Sequence, residues 1–247
     1  MNNKVLLLVL SCNIRPMLIA WIQKTTLVDY PHKVATLLFT AWCNLRCRFC
    51  HNPELVLPEQ IKELVAIPEE NFFVFLNARK HLLDGVVISG GEPTLQPNLI
   101  NFCQRIKEES WLAIKLDTNW RDPRMVKQLI DQQLIDYVAM DIKIDEAQRL
   151  ALLQKKEKQH PYLNTINLLL SWEVTYEFRT TIIKPYHTKE SFSSMLELIR
   201  WAQQYALQTY RPQKTLDPTF DGYACTEKEM QAFQQQASEY VMNCVIR

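Results

Sequence analysis

Glycine is nearly missing from this chain: 4 residues in 247, at Gly85, Gly90, Gly91 and Gly222, against a usual share of about 7%. Each is therefore expected where the backbone must bend tightly or approach a ligand, and the adjacent pair Gly90–Gly91 above all. A charge bias is missing too. Lysine and arginine number 28, aspartate and glutamate 27, for a formal net charge of +1. The basic excess or stripe usual in a nucleic-acid binder does not appear, and an acidic tail is absent as well. No segment approaches the ~20 apolar residues of a membrane span. Internal repeats and low-complexity linkers are also absent. The 7 cysteines lack a pairing pattern: three fall between positions 43 and 50, and Cys12, Cys103, Cys225 and Cys244 are scattered. An odd total with one tight cluster reads as an intracellular metal site with bystanders, not as a disulfide framework. What remains, 47% hydrophobic and 22% charged residues, is the balance of a soluble globular protein.

The first residues, MNNKVLLLVLSC, resemble a short secretion signal. Their apolar run, Val5 to Leu10, is six residues long, below the roughly 7–15 of a signal core. The expectation is a poorly ordered extension over 1–16, with Met17 as the start, and a single domain over 17–247 with a C-terminal helical tail. A cytoplasmic location is expected from the cysteine pattern, which does not look like a disulfide framework.

Short apolar runs alternate with amphipathic segments. Strands are expected at 34–40, 85–89, 112–118, 136–143 and 175–183. Helices are expected at 71–83, 98–108, 123–133, 145–170, 189–206 and 227–241. Strands rich in valine, isoleucine and leucine, each followed by a helix, predict an α/β fold with a parallel sheet and right-handed crossovers. Ligands of such sheets sit at the carboxyl ends of the strands. The chemically notable residues fall there: after Thr40, after Ser89, at Asp117–Asn119 and at Asp141–Lys143. The tryptophans Trp21, Trp111, Trp172 and Trp201 read as packing residues, and Cys103 as a buried apolar side chain in a helix.

The segment FTAWCNLRCRFCHNPELV (39–56) spaces its cysteines Cys43-x3-Cys47-x2-Cys50. Thiolates bind zinc and iron–sulfur clusters. A closed zinc site would need a fourth ligand, and His51 adjoins Cys50 too closely to chelate the same ion easily. Three thiolates on a four-iron cluster leave one iron open to a ligand. A structural zinc loop or an electron-transfer cluster stays open from the cysteines alone.

This loop, with aromatic Phe49 before the third cysteine, resembles the signature of the radical S-adenosylmethionine superfamily. The resemblance implies a partial (β/α)6-type barrel with the cluster and cofactor at the C-terminal ends of its strands. It also implies one [4Fe–4S] cluster on Cys43, Cys47 and Cys50. The open iron would chelate S-adenosylmethionine, whose reductive cleavage yields a 5′-deoxyadenosyl radical. From residue chemistry alone, Glu92 in SGGEP (89–93) can accept from an ammonium, and Asp117, Thr118 and Asn119 can bond ribose hydroxyls. Plain turn and helix-cap roles remain alternatives, since Asp122–Pro123 also looks like a helix start. Lys143 and Arg179 can pair with a carboxylate. The resemblance places Ser89, Gly90, Gly91, Glu92, Asp117, Thr118, Asn119, Asp141, Lys143 and Arg179 around the cofactor.

Outside the loop, KTTLVDYP (24–31), HNPEL (51–55), VVISGGEPTLQ (86–96), IKLDTN (114–119), DYVAMDIK (136–143) and EFRTTI (177–182) resemble the glycyl-radical activating enzymes. The nearest are the activators of anaerobic ribonucleoside-triphosphate reductases. That implies a partner whose glycine Cα loses a hydrogen atom, with flavodoxin or ferredoxin as electron donor. Arg46, Arg48, His51 and Asn52 are candidates for the entrance a partner loop would use. No cysteine pairs lie between Cys50 and Cys103, so one cluster is expected. The chain departs from the resemblance at Trp42, Trp120 and His32, where glycine is usual. Bulky residues at positive φ would cost about 1 kcal/mol or more each. A shifted cofactor pocket, another partner and lost activity all stay open. Competing readings are a formate-lyase type partner, a radical enzyme acting on a small molecule or peptide, and a noncatalytic zinc or electron-transfer module.

Overall fold

The computed structural model describes residues 15–143, 160–171 and 173–247. Most of the expected extension and residues 145–159 of the expected helical stretch lie outside the described residues. One sheet organises the rest. Its strands follow chain order: β1 (Ile19–Thr26), β2 (Ala35–Thr40), β3 (Gly85–Gly90), β4 (Ala113–Thr118), β5 (Tyr137–Asp141), β6 (Thr175–Ile182), β7 (Tyr205–Thr209) and β8 (Cys244–Ile246). β1 runs antiparallel to β2, and every later neighbour is parallel. The order never doubles back, as expected of successive βα units wound in one direction.

Among the described residues, beside a single turn at Pro58–Ile61, six longer helices provide the crossovers and the tail: α1 (Glu69–Arg79), α2 (Leu99–Ser110), α3 (Pro123–Asp131), α4 (His160–Leu170), α5 (Lys189–Leu198) and α6 (Glu227–Ala237). α3 starts where the sequence signals it. Asp122 caps the first turn by accepting from the Met125 N–H at 3.1 Å, and Pro123 fills a position that needs no donor. Thr188 and Thr226 close capping boxes on α5 and α6.

Strand alternation sorts the side chains. Ile114, Leu116, Val138, Met140, Tyr176 and Phe178 enter the main core with Phe102, Val126 and Phe192 of the helices. The opposite face holds a smaller cluster of Tyr30, Leu37, Val87, Tyr137 and Ala139. Lys115, Asp117, Asp141 and Arg179 fall on that second face by the two-residue period. Cys103 is fully buried in α2, as expected.

Several expectations need correction. The helix predicted to run to Ala206 stops at Leu198, and Tyr205 and Ala206 lie in β7. The break is at Trp201, whose φ is +68° and whose N–H turns to the Tyr240 carbonyl. β1, β7 and β8 were not anticipated. Trp111 and Trp201 do not pack inside: they are 88% and 68% exposed. Trp21 is half-buried against Phe39, and Trp172 lies outside the described residues. Among the described residues no helix is long and apolar enough to cross a membrane.

Candidate active site

The parallel strands end together, and their following loops meet over one cleft. Cys43, Cys47 and Cys50 line it after β2, and Ser89, Gly90, Gly91 and Glu92 at the end of β3. Asp117, Thr118 and Asn119 follow at the end of β4, Asp141 and Lys143 at β5, and Arg179 within β6. All thirteen residues expected to hold the cluster or the cofactor therefore line one cavity. Leu45, Phe49 and Val56 supply its apolar wall.

The two glycines let backbone press on backbone. Gly90 has φ +119°, and a Cβ there would meet the Thr40 amide nitrogen at 2.3 Å. A Cβ on Gly91 would meet the Trp42 carbonyl oxygen at 2.1 Å. The Gly91 N–H donates to Thr40 O at 2.8 Å and the Glu92 N–H to Trp42 O at 2.7 Å. The glycine turn is thereby bonded to the start of the cysteine loop.

Glu92 is fully buried, and its carboxylate is occupied by the chain itself. Oε1 accepts from the Thr94 N–H (3.1 Å), the Thr94 hydroxyl (2.6 Å) and the Thr118 hydroxyl (2.8 Å), and Oε2 from the Asn119 N–H (2.6 Å). Burial raises its pKa, and these bonds only partly offset that. Its carboxylate thus braces the site, while the adjoining Gly90–Gly91 backbone lines it. Asn119 in turn reaches Cys43 Sγ at 3.6 Å and Asn44 Oδ1 at 2.8 Å.

The opposite wall is a chain of alternating charge. Lys115 pairs with Asp117 at 2.5 Å, Arg179 with Asp117 at 2.9 Å and with Asp141 at 3.0 Å, and Lys143 with Asp141 at 2.8 Å. Asp141 and Arg179 are register partners across β5 and β6, so sheet pairing itself sets this contact. Burial pushes both carboxyls up, but the cations outweigh it: Asp141 falls to about 2, and Asp117 sits below its ordinary value. Burial disfavours the charge on Lys143, yet Asp141 beside it holds its pKa above the ordinary lysine value. Ser89 donates its hydroxyl to Asp117 at 3.1 Å.

Burial raises all three cluster-loop thiols, Cys43 to about 11 and Cys47 to about 12. Metal binding must therefore displace protons from them. Among the described residues no three histidine, cysteine or acidic side chains are gathered for a single ion. Thiolates that each take a different iron of one cluster do not need that convergence.

The entrance residues divide. Arg46 donates to the carbonyls of Cys43 and Leu45. His51 stacks on Tyr210 with ring centroids 5.6 Å apart. Neither they nor Arg48 and Asn52 line the cavity. Arg48 anchors a segment the motifs did not single out. It binds Asp217 at 2.6 Å, and the Leu216 and Asp217 N–H groups donate to the carbonyls of Cys50 and Arg48. Phe220 stacks on Tyr186 above it. His187 was also missed as a positioner: its Nε2 lies 3.1 Å from the Lys143 carbonyl. At positions 32, 42 and 120, where the resemblance has glycine, the backbone is left-handed, with φ of 60°, 76° and 76°.

A sequence model of the radical SAM superfamily matches residues 37–205. The chain belongs to that superfamily. It is an enzyme of the radical SAM type, whose members use a [4Fe–4S] cluster and S-adenosylmethionine. A relative from Methanocaldococcus jannaschii, named provisionally as a glycyl-radical enzyme activating enzyme, is 31% identical over 235 residues, covering 93% of this chain and 95% of its own. The pyruvate formate-lyase-activating enzyme of Clostridium pasteurianum is 32% identical over 126 residues, 49% of this chain and 50% of its own. Among solved structures, a domain of a pyruvate-formate lyase-activating enzyme from Bacteroides vulgatus superposes with a TM-score of 0.54 at 18% identity, over 66% of this chain and 98% of that one. That likeness concerns the fold.

Proposed function

We propose that this radical SAM enzyme activates a partner by generating a glycyl radical on it, and that the partner is an anaerobic ribonucleoside-triphosphate reductase. The observation that carries the reading is the meeting of three thiols, a two-glycine turn and a charged wall on one cleft. The full-length relative in the glycyl-radical activating group supports it.

The residues fit the cofactors by their chemistry. Cys43, Cys47 and Cys50 would hold one [4Fe–4S] cluster. Bound there with S-adenosylmethionine, it supplies the hydrogen-abstracting radical. The chain's own work is binding and orientation. Gly90 and Gly91 bring backbone to the cleft where a side chain would block it. Lys115, Lys143 and Arg179 exceed Asp117 and Asp141 by one positive charge, which suits the methionine carboxylate of the cofactor. Asn119 and Thr118 offer polar groups suited to ribose hydroxyls, and Ser89 lines the same cleft. Leu45, Phe49 and Val56 exclude water. A second cavity, lined by Val28, Asp29, Lys115, Arg179, Gln208, Arg211 and Arg247, opens on the same arginine.

The Clostridium relative favours one rival, a formate-lyase type partner. The test is anaerobic reconstitution with iron and sulfide, reduction with flavodoxin or ferredoxin, and electron paramagnetic resonance with and without S-adenosylmethionine, followed by each candidate partner. A cluster signal that shifts, then a glycyl-radical doublet on the reductase, is the expected result. A doublet only on the lyase moves the partner. A shift with no doublet on either sinks the activating role.

A further inference from the structure

Six of the 247 residues are tryptophan and four are glycine. Among the described residues six non-glycine positions have a left-handed backbone, and four of those six are Trp42, Trp111, Trp120 and Trp201, with φ between 60° and 76°. A bulky Cβ is disfavoured there, while glycine takes the conformation without a steric penalty. Of these four bulky residues only Trp120 is packed in the core.

Trp111 ends α2 in the left-handed conformation, its N–H bonded to Lys107 O. That is the helix terminus at which glycine is the usual residue. Trp111 is 88% exposed. Trp201 makes the break after α5 and is 68% exposed, with the Arg200 guanidinium 6.0 Å from its ring centroid. Trp120 is buried, yet its indole N–H has no hydrogen-bond partner. Buried tryptophans normally find one. Trp42 sits between β2 and Cys43, its carbonyl pressed against Gly91, with 41% of its surface exposed. Three of the four do not use the indole as a core residue does; Trp120 alone lies in the main core, edge-on to Tyr162 with ring centroids 5.1 Å apart, and leaves its N–H unbonded.

Tryptophan and glycine codons differ in their first base. UGA, a stop in the standard code, can be assigned as a sense codon to either. We propose that positions 42, 111, 120 and 201 are glycine in the protein its own cell makes, each specified by a UGA codon read as glycine. The reading is independent of the activating role. Its consequence is local: the backbone beside Cys43 and beside Asn119 is then glycine, which takes the left-handed conformation without steric penalty.

The direct test is peptide mass spectrometry of the protein isolated from its native cells, read beside the gene's codons. Glycine masses and UGA at all four positions are expected. One codon assignment serves the whole gene, so a tryptophan mass or a UGG codon at any of the four overturns the proposal. A second test needs no native cells. Trp111→Gly and Trp201→Gly, made in the chain as written, should each raise the thermal midpoint, and Trp120→Gly should not lower it. A lowered midpoint for Trp120→Gly would show a packed native indole and overturn the assignment.

Discussion

Arg179 is the joint of the charged wall, and Arg179→Met isolates its contribution. Its guanidinium lies 2.9 Å from Asp117 and 3.0 Å from Asp141, at 13% side-chain exposure. Methionine keeps most of the length and removes the charge. Both carboxylates keep one lysine, Lys115 and Lys143. Breaking a buried pair costs about 3–5 kcal/mol, and the remaining lysines put the expected loss at the low end, about 3 kcal/mol. With a urea m-value on the order of 3 kcal/mol/M, the unfolding midpoint of the apoprotein, followed by circular dichroism, should fall by about 1 M. The pH dependence fixes the cause. Asp141 titrates at about 2 in the folded chain, against roughly 3.9 unfolded. A depressed carboxyl stabilises above the unfolded value and loses that contribution as pH falls toward 2. Without Arg179 the carboxyls rise, so protonation relieves the variant sooner. The gap to wild type should therefore narrow between pH 7 and pH 4. A neutral-pH gap well below the expected shift, or a gap that widens on acidification, would refute the reasoning.

Three further outcomes are expected. Thr118→Val removes one of the donors to buried Glu92, and should cost about 1–3 kcal/mol in a thermal melt; a neutral substitution would show that the bond is not formed. Reconstituted protein should hold about four irons per chain, as one cubane cluster requires, and about eight would disclose a second cluster. His51→Ala should lower radical yield on the partner more than S-adenosylmethionine cleavage, and equal losses would remove His51 from the entrance.

The site was more legible than the sheet. Ser89–Glu92, Asp117–Asn119 and Asp141–Lys143 were found because each ends an apolar run, and parallel strands gather their ends without further instruction. β7 was hidden because YALQT (205–209) follows a helix with no proline or glycine to mark the stop; Trp201 supplies the left-handed turn instead. β8 has three residues, too few for a period to register. The pairing of Arg48 with Asp217 spans 169 residues, and no local pattern links them. Thr94 was passed over because its hydroxyl matters only once Glu92 is buried beside it.

Glu92 ties three loops into one unit. Its carboxylate holds its own turn through Thr94 and the end of β4 through Thr118 and Asn119. Its N–H holds Trp42, and Asn119 carries the connection on to Cys43 and Asn44. Glu92→Gln tests whether the cysteine loop depends on that connection. An amide can still accept from Thr94 and Thr118 with one oxygen, but its NH2 then faces the Asn119 N–H, donor against donor. Asn119 must move, and with it the side chain that reaches Cys43. Iron incorporation should therefore fall several-fold, beyond the loss of the about 1–3 kcal/mol that an unsatisfied buried group costs the fold. A glutamine variant that loads iron to the wild-type level, even with a lowered melting point, would mean that the cysteine loop is positioned without Glu92.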